Sequence, residues 1–405
     1  MTDTHVPKGS RLRLGVVDGN LEVQGRSTIE ADGSIRVAGT AQFRGDVDVV
    51  GSLECREFRS EDGHVHLSGD LTVADSLTTD EGELEIGGKL SARDVDVDRR
   101  LTLNGPATVE SIEVGGRLEG ASTLTAHDVS VGGKFVLQGK IEAHSVEAGG
   151  SVDLQEVSLD DLEVGGRVTI RNGVVRHKIE VGGGFTSKGP ISFGAFQVGG
   201  FAEFQDSAQG GEIEVGGVLT ARKDLTFTRL EIGGMGSVGG SARGAEVEIG
   251  GKFSVEASLE LTGSLEVGGM ISVRDVLKAD QIEVGGKLLA EKALASGTVE
   301  IGGIISTTSG LKAARIQLSH RSRATGPLVG GRVELDRGAR AEDIFGEVVE
   351  LDRKCEVRRI VARDVQIKEG SSVEEVVYSG TLHVSPDVHF RTAPQKVDTL
   401  PPFPL

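Results

Sequence analysis

Apolar and polar residues alternate along most of this chain in short bursts, and three bursts recur in about every 17 positions. One phrase marks the period. Ile282-Glu283-Val284-Gly285-Gly286-Lys287-Leu288 returns as Ile112 to Leu118, as Leu162 to Val168 and as Val247 to Phe253. The first glycine of the pair falls at 115, 132, 149, 165, 182, 199, 216, 233, 250, 268, 285 and 302, in steps of 16 to 18. Beyond 302 the phase continues without the glycines. Leu318-Ser319-His320 takes the Ile-Gly-Gly place, and coils start at Leu335, Leu351, Ile367 and Val384. Backwards, Val97 fits one step before Val114, and the coil before it is placed at Asp80, with Gly87 and Gly88 moved to the next corner.

Numbering one coil from the residue before Gly-Gly, the apolar columns pair at a spacing of two. Column 16 (Val129, Val146, Ile179, Ile282, Val299) pairs with column 1, which is mostly Val or Ile. Column 5 (Leu118, Phe135, Val168, Phe253) pairs with column 7 (Leu137, Ile170, Val255). Column 11 (Leu124, Ile141, Val174, Leu277, Leu294) pairs with the small residues of column 13. Spacing two is the strand period. Three short strands per coil describe an all-β fold, a single-stranded three-sided parallel β-helix of about 21 coils with rungs about 4.8 Å apart. The pairs Gly115-Gly116, Gly132-Gly133, Gly182-Gly183, Gly250-Gly251 and Gly285-Gly286 are its corners, where a bend needs positive φ or close backbone approach. No coil can bury its apolar face alone, so stability comes only with neighbours.

The pattern divides the chain into a polar tail (1–12), a β-helix (13–390) and a Pro-rich extended tail (391–405). Coils are irregular over 13–79 and regular over 80–383, with a terminal cap at 384–390. Phe403 and Leu405 make the last segment apolar at its tip.

Glycine supplies 60 of the 405 residues and Trp none, which suits a narrow aliphatic coil better than a globular core. Net charge is −18, with 62 acidic against 44 basic residues and no basic stripe in the linear sequence, so a nucleic-acid partner is not expected. Cys55 and Cys355 imply no disulfide framework, and the polar start carries no signal-peptide core. The expected setting is therefore the cytoplasm, with membrane association left to the tails.

This coil pattern, over about residues 14 to 390, resembles the bactofilins, a family of polymer-forming cytoskeletal proteins. The resemblance implies a right-handed β-helix that assembles end to end without bound nucleotide and organises cell shape or positions other proteins. Here the chain is longer than is usual for that family, and the repeated Gly-Gly corner is this chain's own.

Candidate chemistry is sparse. Column 17 is a ladder of acids, including Glu113, Glu147, Glu163, Glu180, Glu214, Glu231, Glu248, Glu266, Glu283, Glu300, Glu334 and Glu350. Stacked in water, such charges repel by about 0.9 kcal/mol per neighbour. Arg117, Lys134, Arg167, Lys252 and Lys287 in column 4 are the expected counterions across the corner. The ladder reads as a solvated face, or as a stripe for cations or a basic partner. The Gly-Gly pairs do not open helices, so they are not phosphate loops. They also lack the fixed Asp of calcium-binding nonapeptide rolls. His64 and His66 share a strand face but make no metal motif, while His127 and His144 should stack one above the other. No nucleophile with its base and no paired carboxylates can be assigned, so neither an enzyme nor a cofactor is expected. The expected partner is the chain itself, through apolar ends at Leu12, Leu14, Val16 and Val17 and at Val384, Val388 and Phe390. The alternative is an adhesin-type β-helix that binds a ligand or a protein along one face.

Overall fold

The structure, a computed structural model, describes residues 3–404, so Leu405 lies outside it. The described residues form strands and no helix. The strands pair in parallel and stack as a β-solenoid of about 23 turns. The chain divides into two units, residues 1–200 and 201–405.

In the first unit one turn consists of strands Arg117–Gly120, Leu124–Thr125 and Asp128–Val131. Each strand lies in register on the next turn, so that Leu101, Leu118, Phe135, Val152 and Val168 form one inward file. All five are buried. In the second unit Phe253, Ile271, Leu288 and Ile305 form the same file, and Leu265, Ile282, Val299, Ile316, Val333 and Val349 form another. Alternation puts every second side chain inside, and stacking puts like on like. Rings stack too, as Phe43 and Phe58 do with centroids 5.0 Å apart.

The Gly-Gly corners need close approach, not positive φ. None of the paired glycines at 115, 132, 182, 250 or 285 has a left-handed backbone. A Cβ at Gly182 would stand 2.6 Å from the Gly165 carbonyl oxygen, and one at Gly250 would stand 2.8 Å from that of Gly233. At most pairs the second glycine is tighter still: a Cβ at Gly251 would overlap the Gly234 carbonyl oxygen. Within each unit the glycines therefore stand in a vertical file, because only a hydrogen lets one corner rest on the next. The expected shift of Gly87 and Gly88 is also present, in a second file with Gly51, Gly69 and Gly105.

Beyond Leu318 the corner changes type. Arg321 (φ 59), Gly338 (φ 75), Lys354 (φ 59) and Gly370 (φ 69) take the left-handed region. The residue after each is a small buried one, Ser322, Ala339, Cys355 or Ser371. The turn supplies the bend that close glycine packing supplies elsewhere, which is why the glycine pairs can disappear. Cys355 is an inward corner residue there, and burial pushes its thiol up to about 11. Burial likewise raises Cys55, to about 12.

Several sequence expectations shift by one residue or at a boundary. Val174 pairs with Ser158 and faces out, while Val175 pairs with Leu159 and is buried. Leu294 pairs with Lys278, and Ala293 takes the place above Leu277. Both slips follow steps that depart from seventeen. The early coil begins at Thr79, which pairs with Val97 across an 18-residue step. The stack also starts earlier than residue 13, because Thr4–Val6 pairs with Leu21–Gln24 and Val6 is fully buried. It ends later than 390, because Gln395 and Lys396 pair with Val377 and Tyr378. One apolar residue in a polar stretch is too weak a signal for either extension.

These packing rules set the expected cost of substitutions. Gly251→Ala should destabilise by roughly 1–3 kcal/mol through overpacking against backbone. Gly15→Ala, with open space around it, should change stability by less than about 0.5 kcal/mol. Leu277→Asp buries an unpaired polar group at a fully buried site and should cost several kcal/mol. Thermal and chemical denaturation of the three variants checks the order. Equal melting for Leu277→Asp and Gly15→Ala would refute the inward assignment.

Candidate assembly surfaces

The stack has two uncovered edges. Strand Arg11–Val17 pairs with Ser27–Arg44 on one side only among the described residues. Leu12 stands above the fully buried Ile29 yet is 42% exposed, and Leu14 is half-buried. Val16 is 74% exposed because it sits in an outward column, opposite Arg36. Val17 is already buried in the core. At the other edge, Val384 stands above the fully buried Ile367 and is 42% exposed, while Val388 and Phe390 are half-buried. Of the seven expected end residues, Leu12, Leu14, Val384, Val388 and Phe390 therefore lie at incompletely covered edges. Val16 and Val17 do not present an uncovered core column.

Asp364 ties down the C-terminal edge. Its carboxylate accepts from the Thr381 hydroxyl at 2.7 Å and the Thr381 backbone N–H at 2.9 Å. These bonds and Arg363 hold its pKa down at about 2.

The acidic ladder is in register within each unit. Glu214, Glu231, Glu248, Glu266, Glu283 and Glu300 occupy six successive rungs of the second unit, followed by Gln317, Glu334 and Glu350. In the first unit it runs through Asp96, Glu113, Ser130, Glu147, Glu163 and Glu180. Desolvation, and then the negative charges of Glu113, Asp98 and Asp80, push the Asp96 carboxyl up.

The counterion role expected of Arg117 is not the one it takes. Arg117 pairs with Glu119 on its own strand. The ladder is met from two residues upstream. Lys178 reaches Glu180, Arg229 reaches Glu231 (3.6 Å) and Glu248 (3.1 Å), and Arg332 reaches Glu350 (2.7 Å). Residues two apart on a strand share a face, whereas column 4 lies around the corner. Among the described residues, Glu266, Glu283 and Glu300 have no cation within ion-pair distance.

Two further surfaces escaped the linear reading. The first is an outward apolar row, Val329, Phe345, Val361 and Val377, one residue on successive rungs. Val397 and Leu400 of the C-terminal segment pack against it, and the Phe403 ring lies 5.9 Å from that of Phe345. The extended tail is thus laid along the flank. Doubled apolar residues at Leu328-Val329, Ile344-Phe345, Ile360-Val361 and Val376-Val377 break the strand alternation and are its readable signal.

The second is a cationic corner, where Arg323 stacks on Arg340 and Arg321 and Lys354 occupy left-handed turns of nearby rungs. It corrects the expectation that no basic stripe exists. Residues 312–396 carry 15 Lys and Arg against 13 Asp and Glu, reversing the balance of the whole chain.

The histidine pair stacks as expected, with His127 and His144 centroids 4.9 Å apart and 7° between planes. His64 lies 3.8 Å from Glu83. Among the described residues, no group of three or more His, Cys, Asp or Glu is arranged to hold a metal. No helix among them is long and apolar enough to cross a membrane.

Comparison with protein-family models, with curated proteins and with solved structures finds no match for this chain. The fold therefore defines its class, a parallel β-solenoid, which suits a structural or binding scaffold.

Two tests follow from these surfaces. Leu400→Ser with Phe403→Ser should release the tail, lower stability by about 1–3 kcal/mol and raise binding of an apolar dye, since buried apolar area is lost. Unchanged dye binding would show that the row is covered by something else. For Asp364 the depressed pKa fixes the sign. Its contribution is present above the ordinary value of 3.8 and is lost as pH falls through about 2. Amide exchange at the Thr381 N–H should therefore accelerate in Asp364→Ala at neutral pH, and equal exchange in both proteins would remove that role.

Proposed function

We propose that this protein is a non-enzymatic scaffold of the bactofilin type that assembles end to end with copies of itself. One observation carries the reading. At both edges a core column runs out to side chains that only another rung would cover: Leu12 above Ile29, and Val384 above Ile367. Unpaired strand edges template further pairing unless something blocks them. Here the C-terminal segment is laid on the flank and leaves the edge of Leu382–Val384 open.

A next copy adds its first rung to the last rung of the one before, continuing the same parallel register. The apolar ends supply the free energy and the backbone supplies the direction. Neither nucleotide nor metal is needed for such addition. A role in organising shape or placing other proteins follows from a filament with repeated flanks.

Val384→Asp places a charge on a side chain that is 42% exposed, so the single copy should keep its stability within about 1 kcal/mol. Association should weaken at least tenfold, seen by light scattering across a concentration series and by negative-stain microscopy. Wild-type protein that stays single at high concentration would refute the reading. So would filaments that form equally well from Val384→Asp.

A further inference from the structure

We propose that the cationic corner of the last coils is a carboxylate-binding groove that takes the glutamate ladder of a second copy of this chain, side by side. The groove is lined by Arg323, Arg340, Lys354 and Arg358, with Ser372 and Glu374 at its margin. Two of these cations are already committed, Arg340 to Glu356 at 3.0 Å and Arg358 to Asp343 at 2.5 Å. Arg323 and Lys354 have no acid within ion-pair distance among the described residues. The left-handed corner at Lys354 keeps its side chain over the bend, with its Cγ 3.4 Å from where a Cβ on the equivalent Gly370 would stand.

The occupant is argued from spacing and charge. Arg323 and Arg340 lie in register on adjacent rungs, so the groove offers cations at the rise of the stack, about 4.8 Å. Glu266, Glu283 and Glu300 offer unpaired carboxylates at that same rise. Two successive carboxylates of that ladder match Arg323 and Arg340, and Lys354 stands beside the next rung, where the column itself turns to Glu356. The phosphates of a nucleic-acid strand advance by about 3.4 Å and fall out of step. Glu356 and Glu374 at the groove also repel a dense polyanion or an anionic membrane, while single-file carboxylates can pass between the cations. An acidic body and a locally basic end within one chain make two copies complementary when staggered. This pairing does not rest on end-to-end addition, so it is tested in protein carrying Val384→Asp.

Sedimentation velocity compares three proteins in that background: the parent, Arg323→Glu with Lys354→Glu, and Glu283→Lys with Glu300→Lys. The parent should pair at about 50 mM salt and weaken at least tenfold by about 500 mM, as the screening length contracts. Each charge-reversed protein should fail to pair alone. Their equal mixture should pair again, because the reversed groove then meets the reversed ladder, and that recovery also shows both are folded. If reversal unfolds either protein, Arg323→Gln with Lys354→Gln should still weaken pairing severalfold. A parent that stays single at low salt overturns the proposal. So do a mixture that fails to pair, and neutralised cations with no effect. Loss of binding to acidic vesicles or to an oligonucleotide, with pairing unchanged, also overturns it and assigns the groove to that other anion.

Discussion

Backbone contact between successive turns is the constraint on which everything else in this molecule rests. Each corner sits so close on the one before that a single methyl group at Gly251 would strike the Gly234 carbonyl oxygen. That closeness lets the N–H of Gly250 reach the Ile232 carbonyl at 3.0 Å and keeps the turns parallel. The aliphatic files follow from it. Once the backbone repeats with a fixed rise, Val must fall on Val and Leu on Phe. The energy of the core is then shared between neighbours and belongs to no single turn.

The same repetition governs the outer surface. A residue type that recurs every seventeen positions becomes a line, and chemistry that is weak for one side chain is multiplied along it. Glutamates that would be ordinary surface acids become a ladder of like charges. Valines that break the alternation become a row that must be covered, and Val397, Leu400 and Phe403 cover it. In the last coils the change from glycine pairs to left-handed turns has its own surface effect. A glycine pair shows nothing at a corner, whereas Arg321 and Lys354 carry long cationic side chains there.

The period made the coil legible, because a repeat of seventeen with apolar pairs two apart allows few other folds. Reading failed where the count slipped. At Val174 and Leu294 a step that departs from seventeen moves the inward position by one, and on a strand one residue reverses the face. The cationic corner was hidden for a related reason. Arg323, Arg340 and Lys354 are interleaved with Glu334, Asp336 and Glu350, so a linear window sees mixed charge. Stacking sets Arg323 on Arg340 and, in another column, Glu334 on Glu350. The edges were legible only in part. Val384 could be read from its phase, but Thr4–Val6, whose Val6 is fully buried, was not placed in the stack by sequence alone.

The course of the C-terminal segment has a practical consequence. From Lys396 the chain turns back past Tyr378, whose carbonyl accepts from the Val397 N–H at 2.9 Å, and reaches Phe345 two rungs earlier. Whatever is fused after this segment is therefore delivered to the side of the stack and not to its tip. In an end-to-end assembly of the kind proposed, cargo attached there would hang at intervals of one molecule, like pennants on a line, clear of the joints between copies.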